Sequence, residues 1–163
     1  MSIETVKKYL EPMGLADRVI EFDASSATVA QAAADLGCEE ARIAKTMAFL
    51  VDGHAVLIVM AGDGKVDNPR YKAQFHTKAA MIHPEELVER VGHPMGGVCP
   101  FAIRSDVRVY LDESLKRFDI VYPAAGTASS AVKLTVPELE SAVENFAGWV
   151  DVAKGWRPEA QDS

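Results

Sequence analysis

Two apolar runs dominate the hydrophobic pattern: Thr46-Met47-Ala48-Phe49-Leu50-Val51 and Ala55-Val56-Leu57-Ile58-Val59-Met60. Between them stand Asp52, Gly53 and His54. A short continuous apolar run bounded by turn residues predicts a buried strand, and Asp-Gly predicts a tight reversal. The two runs therefore read as a hairpin. Lys45 stands at the entry to the first strand and is the only full charge between Arg42 and Asp52.

The remaining pattern is short elements of both periods. Ile3 to Met13 reads as an amphipathic helix with Val6, Tyr9 and Leu10 on one side and Pro12 near its end. Residues 18–22 alternate as a strand and lead into a turn at Asp23-Ala-Ser-Ser. Thr28 reads as the N-cap of a helix over Val29 to Leu36, with Gln31 at its third position and Gly37 as its C-cap. Ala41 to Ala44 reads as a short helical turn. Asp67-Asn68-Pro69 starts a helix running to Ala73 or Phe75, and residues 79–83 form a short strand. Pro84 opens a helix to Val91, with Glu85 and Glu86 suited to its N-terminal dipole.

Residues 92–100 are rich in Gly and Pro and read as a loop. Strands follow at 107–111, 119–122 and 131–134, with a turn at 112–115 and a small-residue loop at 123–130. Thr135 caps a final helix to about Phe146. Such an order lacks the regular strand–helix alternation of a doubly wound sheet. It predicts a single α+β domain over residues 1–156. A mixed, largely antiparallel, curved and barrel-like sheet is surrounded by helices, and residues 157–163 form a disordered tail.

Composition narrows the class. The chain is 48% hydrophobic and 25% charged, ordinary for a globular domain. No apolar run approaches the ~20 residues that span a bilayer, and the N-terminus lacks a signal-type apolar core. The expected location is cytoplasmic, with no membrane partner. Cys38 and Cys99 are far apart and form no CxxC, which fits free thiols. The net charge of −7 argues against non-specific nucleic-acid binding. Residues 1–41 carry −5, residues 42–108 carry +2 and residues 109–163 carry −4. The basic middle leaves room for one phosphate-bearing end of a ligand.

Four features could carry chemistry. Lys45 either snorkels, with its stem on the core and its ammonium in water, or points into a cleft and binds an anionic group. Gly96-Gly97-Val98-Cys99-Pro100 either connects elements or lets backbone N–H groups approach a ligand oxygen. It matches neither a phosphate loop nor a dinucleotide fingerprint. Gly126-Thr127-Ala128-Ser129-Ser130 is either a tight turn or a set of hydroxyls for a polar ligand, and no serine sits in a G-x-S-x-G elbow. His76, His83, His93 and Cys99 match no metal spacing, so no metal or cofactor is expected. A Cys99–His93 nucleophile pair is a further reading of the same residues.

In order, Ile43-Ala-Lys45-Thr46-Met47 before a strand, Gly96-Gly97-x-x-Pro100-Phe101, Val109-Tyr110-Leu111-Asp112 and Tyr122-x-x-x-Gly126 resemble the YbaK/prolyl-tRNA-synthetase-associated editing domain family over roughly residues 1–140. The resemblance implies a compact α+β domain that hydrolyses wrongly charged aminoacyl-tRNA. It implies that Lys45 is the family's key lysine and that Gly96 to Pro100 is its GxxxP substrate loop. The implied substrate-binding set is Thr28, Met47, Gly96, Gly97, Val98, Pro100, Gly126, Ser129 and Ser130. The implied partners are the acceptor end of a mischarged tRNA and an aminoacyl-tRNA synthetase. Members that edit cysteinyl-tRNA(Pro) carry a Gly-Arg-Gly-type stretch and then an acid, whereas residues 127–131 here contain no acid. Ester hydrolysis by this route needs no Ser-His-Asp set. Water or the substrate's 2′-hydroxyl attacks, and Lys45 positions the ester. The alternatives are a non-catalytic module that docks on tRNA or a synthetase, and a cysteine- or metal-dependent hydrolase.

Overall fold

The computed structural model describes residues 3–22 and 28–156. The Asp23–Ser26 turn and the 157–163 tail expected from the sequence lie outside the described residues. The described residues form five α-helices, five short 3₁₀ helices and ten strands. The α-helices are α1 (Ile3–Leu10), α2 (Val29–Leu36), α3 (Asn68–Phe75), α4 (Leu87–Arg90) and α5 (Val136–Ala142). The strands are β1 (Val19–Glu21), β2 (Ile43–Val51), β3 (His54–Ala61), β4 (Lys65–Val66), β5 (Arg108–Asp112), β6 (Ile120–Pro123), β7 (Ser130–Val132), β8 (Leu134–Thr135), β9 (Phe146–Val150) and β10 (Ala153–Lys154).

The predicted hairpin is the centre of the molecule. Asp52 (φ 51°) and Gly53 (φ 80°) both occupy the left-handed region, the geometry that closes a two-residue reversal, and Val51 pairs with His54. Around β2 and β3 the main sheet runs β8-β6-β2-β3-β5-β9. β3 is buried from Ala55 to Ala61 because both faces are covered. Leu57, Val59 and Ala61 join the larger core cluster with α1 and α5. Val56, Ile58 and Met60 join a second cluster on the opposite face, where Phe49, Tyr71 and Phe75 stack with ring centroids 5.2 and 4.8 Å apart. An apolar run without alternation is what burial on both faces requires.

The domain is α+β with a mixed, curled sheet. β2–β3 and β6–β8 are antiparallel, while β2–β6, β3–β5 and β5–β9 are parallel. β1–β7 and β4–β10 form two small antiparallel sheets.

Local capping explains most boundaries. Thr28 accepts the Gln31 N–H, Asp67 accepts the Arg70 N–H, and Thr135 with Glu138 forms a reciprocal capping box.

Several boundaries differ from expectation. The helix expected from Ile3 to Met13 is α-helical only to Leu10 and ends in a 3₁₀ turn at Glu11–Met13. The helix expected from Pro84 to Val91 is a 3₁₀ turn at Pro84–Glu86 followed by the four-residue α4. The Ala41–Ala44 turn is a 3₁₀ turn at Glu40–Arg42, and Ile43 and Ala44 already belong to β2. The final helix stops at Ala142. Asn145 takes a left-handed φ of 55°, and Phe146–Val150 turns back to pair with β5, an element the helix extension hid. The expected 131–134 strand is split at Lys133 between β7, which pairs with β1, and β8, which pairs with β6. Residues 79–83 add only a single bridge, Met81 to Phe49, on the outer edge of β2.

Candidate active site

A cavity of about 310 Å³ opens along the N-terminal half of β2. Besides β2 and Phe22, four stretches wall it: Thr28 with α2, residues 81–87, the 95–98 loop, and residues 122–131. Thr28, Lys45, Met47, Gly96, Val98 and Ser130, all expected at the site, line it together. Its lining is mostly apolar, and among the described residues no His, Cys, Asp or Glu lines it.

Lys45 is half-buried, and among the described residues no carboxylate forms an ion pair with it. Burial lowers its pKa from the usual lysine value. The Asp63 carboxylate works the other way, and the Lys65 charge adds to the lowering. Asp63 itself is held by Arg117 at 2.6 Å. The sequence around Lys45 gives no sign of a depressed pKa; desolvation inside the fold supplies it.

The two glycine loops meet behind the cavity. A Cβ on Gly97 would lie 2.3 Å from the Gly126 carbonyl oxygen, so only glycine permits this approach. The Gly97 N–H is already taken by the Pro94 carbonyl at 2.9 Å. Gly126 is buried at φ 92°. Pro100 is also buried, away from the cavity, and its carbonyl accepts the Glu144 N–H. Ser129 likewise stands off the lining, and its carbonyl accepts the Phe22 N–H at 3.0 Å. Gly97, Pro100, Gly126 and Ser129 thus shape the walls, while Gly96, Val98 and Ser130 face the space. The Ser130 and Thr127 hydroxyls share a 2.6 Å hydrogen bond at its rim.

Cys99 and His93 belong to the 92–100 loop, with buried side chains that do not line the cavity. His93 Nε2 lies 2.6 Å from the Phe101 carbonyl and 3.5 Å from Cys99 Sγ. Burial pushes the Cys99 thiol up to about 12 and lowers the His93 imidazole. A thiol held protonated and fully covered is a poor nucleophile. Among the described residues no group of three or more His, Cys, Asp or Glu is placed to hold a metal ion.

Sequence reasoning missed the α2 wall of Val29, Ala32 and Leu36, whose i, i+3, i+7 spacing is the stripe a helix lays against a partner. It also missed the methionines Met81 and Met95, which are 58% and 70% exposed at the cavity mouth.

Among the described residues, a small mixed-sheet domain thus places one lysine in an apolar cleft walled in part by two glycine loops, a candidate ligand-binding site. The family model for the aminoacyl-tRNA editing domain matches residues 23–142, and the chain belongs to that family. Among relatives, YwhH of Bacillus subtilis (strain 168), whose own function is uncharacterized, is 45% identical over 96% of this chain and 99% of its own length. The "Putative Cys-tRNA(Pro)/Cys-tRNA(Cys) deacylase EbsC" of Enterococcus faecalis is 27% identical over 63% of each chain. The proline–tRNA ligase of Bacillus subtilis is 26% identical over 63% of this chain and 18% of its own length. A crystal structure described as "a putative trans-editing enzyme for prolyl tRNA synthetase" superposes with a TM-score of 0.84 at 28% identity, covering 94% of this chain and 97% of the other.

Proposed function

We propose that this protein is a hydrolase acting in trans on mischarged aminoacyl-tRNA, releasing the amino acid by ester hydrolysis. Membership of the editing-domain family supports the reaction class. The observation that carries the mechanism is Lys45, half-buried without an ion-pair partner among the described residues, opening into a cavity shared by both glycine loops.

An aminoacyl ester at the terminal ribose brings an adjacent phosphate, a carbonyl and an α-ammonium. The Lys45 ammonium holds the phosphate or the ester end by charge. Fixing the ester this way converts a random encounter into a near-attack geometry. Water attacks the carbonyl carbon directly, or the 2′-hydroxyl attacks first and water completes the release. The ester C–O bond breaks and the ribose oxygen takes a proton. Thr28, Met47, Gly96, Gly97, Val98, Pro100, Gly126, Ser129 and Ser130 bind the substrate or shape the walls around it. Apolar packing discriminates side chains weakly, by ~1–3 kcal/mol per methylene, which is the reason editing sites exist. The tRNA acceptor end is the partner, and such work belongs in the cytoplasm, alone or beside a synthetase.

The test is release of labelled amino acid from tRNAs mischarged with Ala, Cys, Ser or Thr. Wild-type protein cleaves at least one ester, and Lys45→Ala loses most of that activity. If no ester is cleaved, or if Lys45→Ala matches wild type, the catalytic reading fails. A stable tRNA or synthetase complex with zero turnover would instead favour a binding module.

A further inference from the structure

The outer edge of β2 is closed at both ends and open in the middle. At its start, Ile43 and Ala44 pair with Tyr122 and Pro123 of β6. Towards its end, the Leu50 N–H bonds the Ala80 carbonyl at 2.8 Å, and the Ala48 carbonyl accepts the Ile82 N–H at 3.0 Å. Thr46 lies between these two partners.

Strand geometry fixes which way Thr46 points its backbone. In an antiparallel pair, successive residues turn their N–H and C=O groups alternately toward and away from the partner strand. Val51 and His54 close the hairpin as its first bonded pair, so odd-numbered residues of β2 bond β3 and even-numbered residues face outward. The outward bonds of Ala48 and Leu50 obey the same parity. Thr46 pairs across from Val59 and is therefore outward-facing. The β6 ladder ends at Ala44, and no strand, bridge or loop among the described residues reaches Thr46. Its Oγ1 is also buried without a hydrogen-bond partner.

The cavity occupies this gap. Both odd and even positions of β2, from Ile43 to Ala48, line it, so it meets the strand along its edge and not on one face. An unpaired N–H and C=O on one residue form a donor and an acceptor in the spacing of one missing bridge residue. An aminoacyl ester supplies the complement. Its carbonyl oxygen accepts, and its α-ammonium donates.

We infer that Thr46 is a backbone subsite that binds the aminoacyl group as a one-residue β-bridge, its N–H on the ester carbonyl and its C=O on the α-ammonium. This rests on the deacylase reading above and adds the selector for an α-amino acyl group. The bridge reads the common backbone of amino acids and leaves side-chain choice to the apolar walls. Lys45, one residue earlier, sends its side chain from the same place on the strand.

The probes are stable amide mimics of the substrate end, 3′-aminoacylamino-3′-deoxyadenosines carrying Ala, Cys, Ser or Thr, and a propionyl analogue without the α-ammonium. In NMR of the full chain, binding slows solvent exchange of the Thr46 amide at least tenfold. The propionyl analogue binds at least tenfold more weakly than the alanyl one. Thr46→Pro removes only an outward N–H beyond the end of the β6 ladder, where it costs no ladder hydrogen bond, and weakens binding at least tenfold while the spectrum stays folded. Wild-type exchange and the analogue comparison decide the matter even if that variant does not fold. The inference is overturned, with the deacylase reading intact, if mischarged tRNA is cleaved but the Thr46 amide stays unprotected when Met47 and Ser130 shift. No binding by any mimic, together with no turnover on tRNA, overturns both.

Discussion

Lys45 owes its chemistry to where β2 begins. Burial disfavours its charged form, so the ammonium gives up its proton at a lower pH than an ordinary lysine. If the cation positions the substrate, activity falls on the alkaline side as pH rises through this lowered value. Lys45→Arg, which stays charged, removes that alkaline limb from the pH–rate profile of kcat/KM. A profile that rises through the same region would instead mark Lys45 as a base. Thr46 gives a second residue-scale outcome. Its Oγ1 is buried and unpartnered, so Thr46→Val relieves an unsatisfied hydroxyl and raises stability by about 1 kcal/mol, read as a higher urea midpoint at unchanged slope. Both residues were visible in the sequence, but only Lys45 announced itself, as a charge in an apolar run. Neither the lowered pKa nor the orphaned hydroxyl has a local sequence signal, because both come from segments far along the chain.

At the scale of elements, the 92–101 loop is held by contacts beneath it. Gly97→Ala would force its Cβ into the Gly126 carbonyl and separate the two loops. The expected result is at least a tenfold loss of kcat/KM in a protein that still unfolds cooperatively. Near-wild-type activity would show that the loop contact does not shape the site. His93 sets a pH limit on the same loop. Its Nε2–H donates to the Phe101 carbonyl, and Nδ1 is buried without a partner among the described residues. Protonation would place a second N–H with no acceptor. Burial lowers the folded pKa below the usual 6.5, so the unfolded chain takes up the proton first. This contribution to stability is complete above about pH 6.5 and is lost as pH falls towards the lowered folded value. Within that window the slope approaches about 1.4 kcal/mol per pH unit. His93→Gln flattens that part of the stability–pH curve. The sequence marked this stretch as a loop from its Gly and Pro content. It offered the His93–Cys99 pair as a reading but not its burial, since a spacing of six residues in a loop fixes no geometry.

At the scale of the whole molecule, the cavity walls are drawn from residues 22 through 131, and three of the main-sheet pairings are parallel and distant in sequence. The α+β class was legible because short strands and isolated helices alternate irregularly. The hairpin was legible because Asp-Gly interrupts two apolar runs. The split of residues 130–135 between two sheets and the late strand β9 were not, because long-range partners decide them and override local capping signals. Cysteine labelling reads the integrity of this packing. Cys99 is fully covered and its thiol is held near 12, whereas Cys38 is partly open. Native protein therefore takes up one equivalent of iodoacetamide at most, and a second only on denaturation. Rapid double labelling of folded protein would contradict the packing beneath the loop.

The Asp52–Gly53 reversal lies at the opposite end of β2 from Lys45, roughly 20 Å away at ~3.3 Å per residue. A Cβ on Gly53 would meet nothing within 4 Å. The hairpin tip is therefore the natural port for engineering. A fluorophore or affinity peptide spliced there would report on tRNA capture from outside the cleft, leaving both glycine loops and the β2 gap undisturbed.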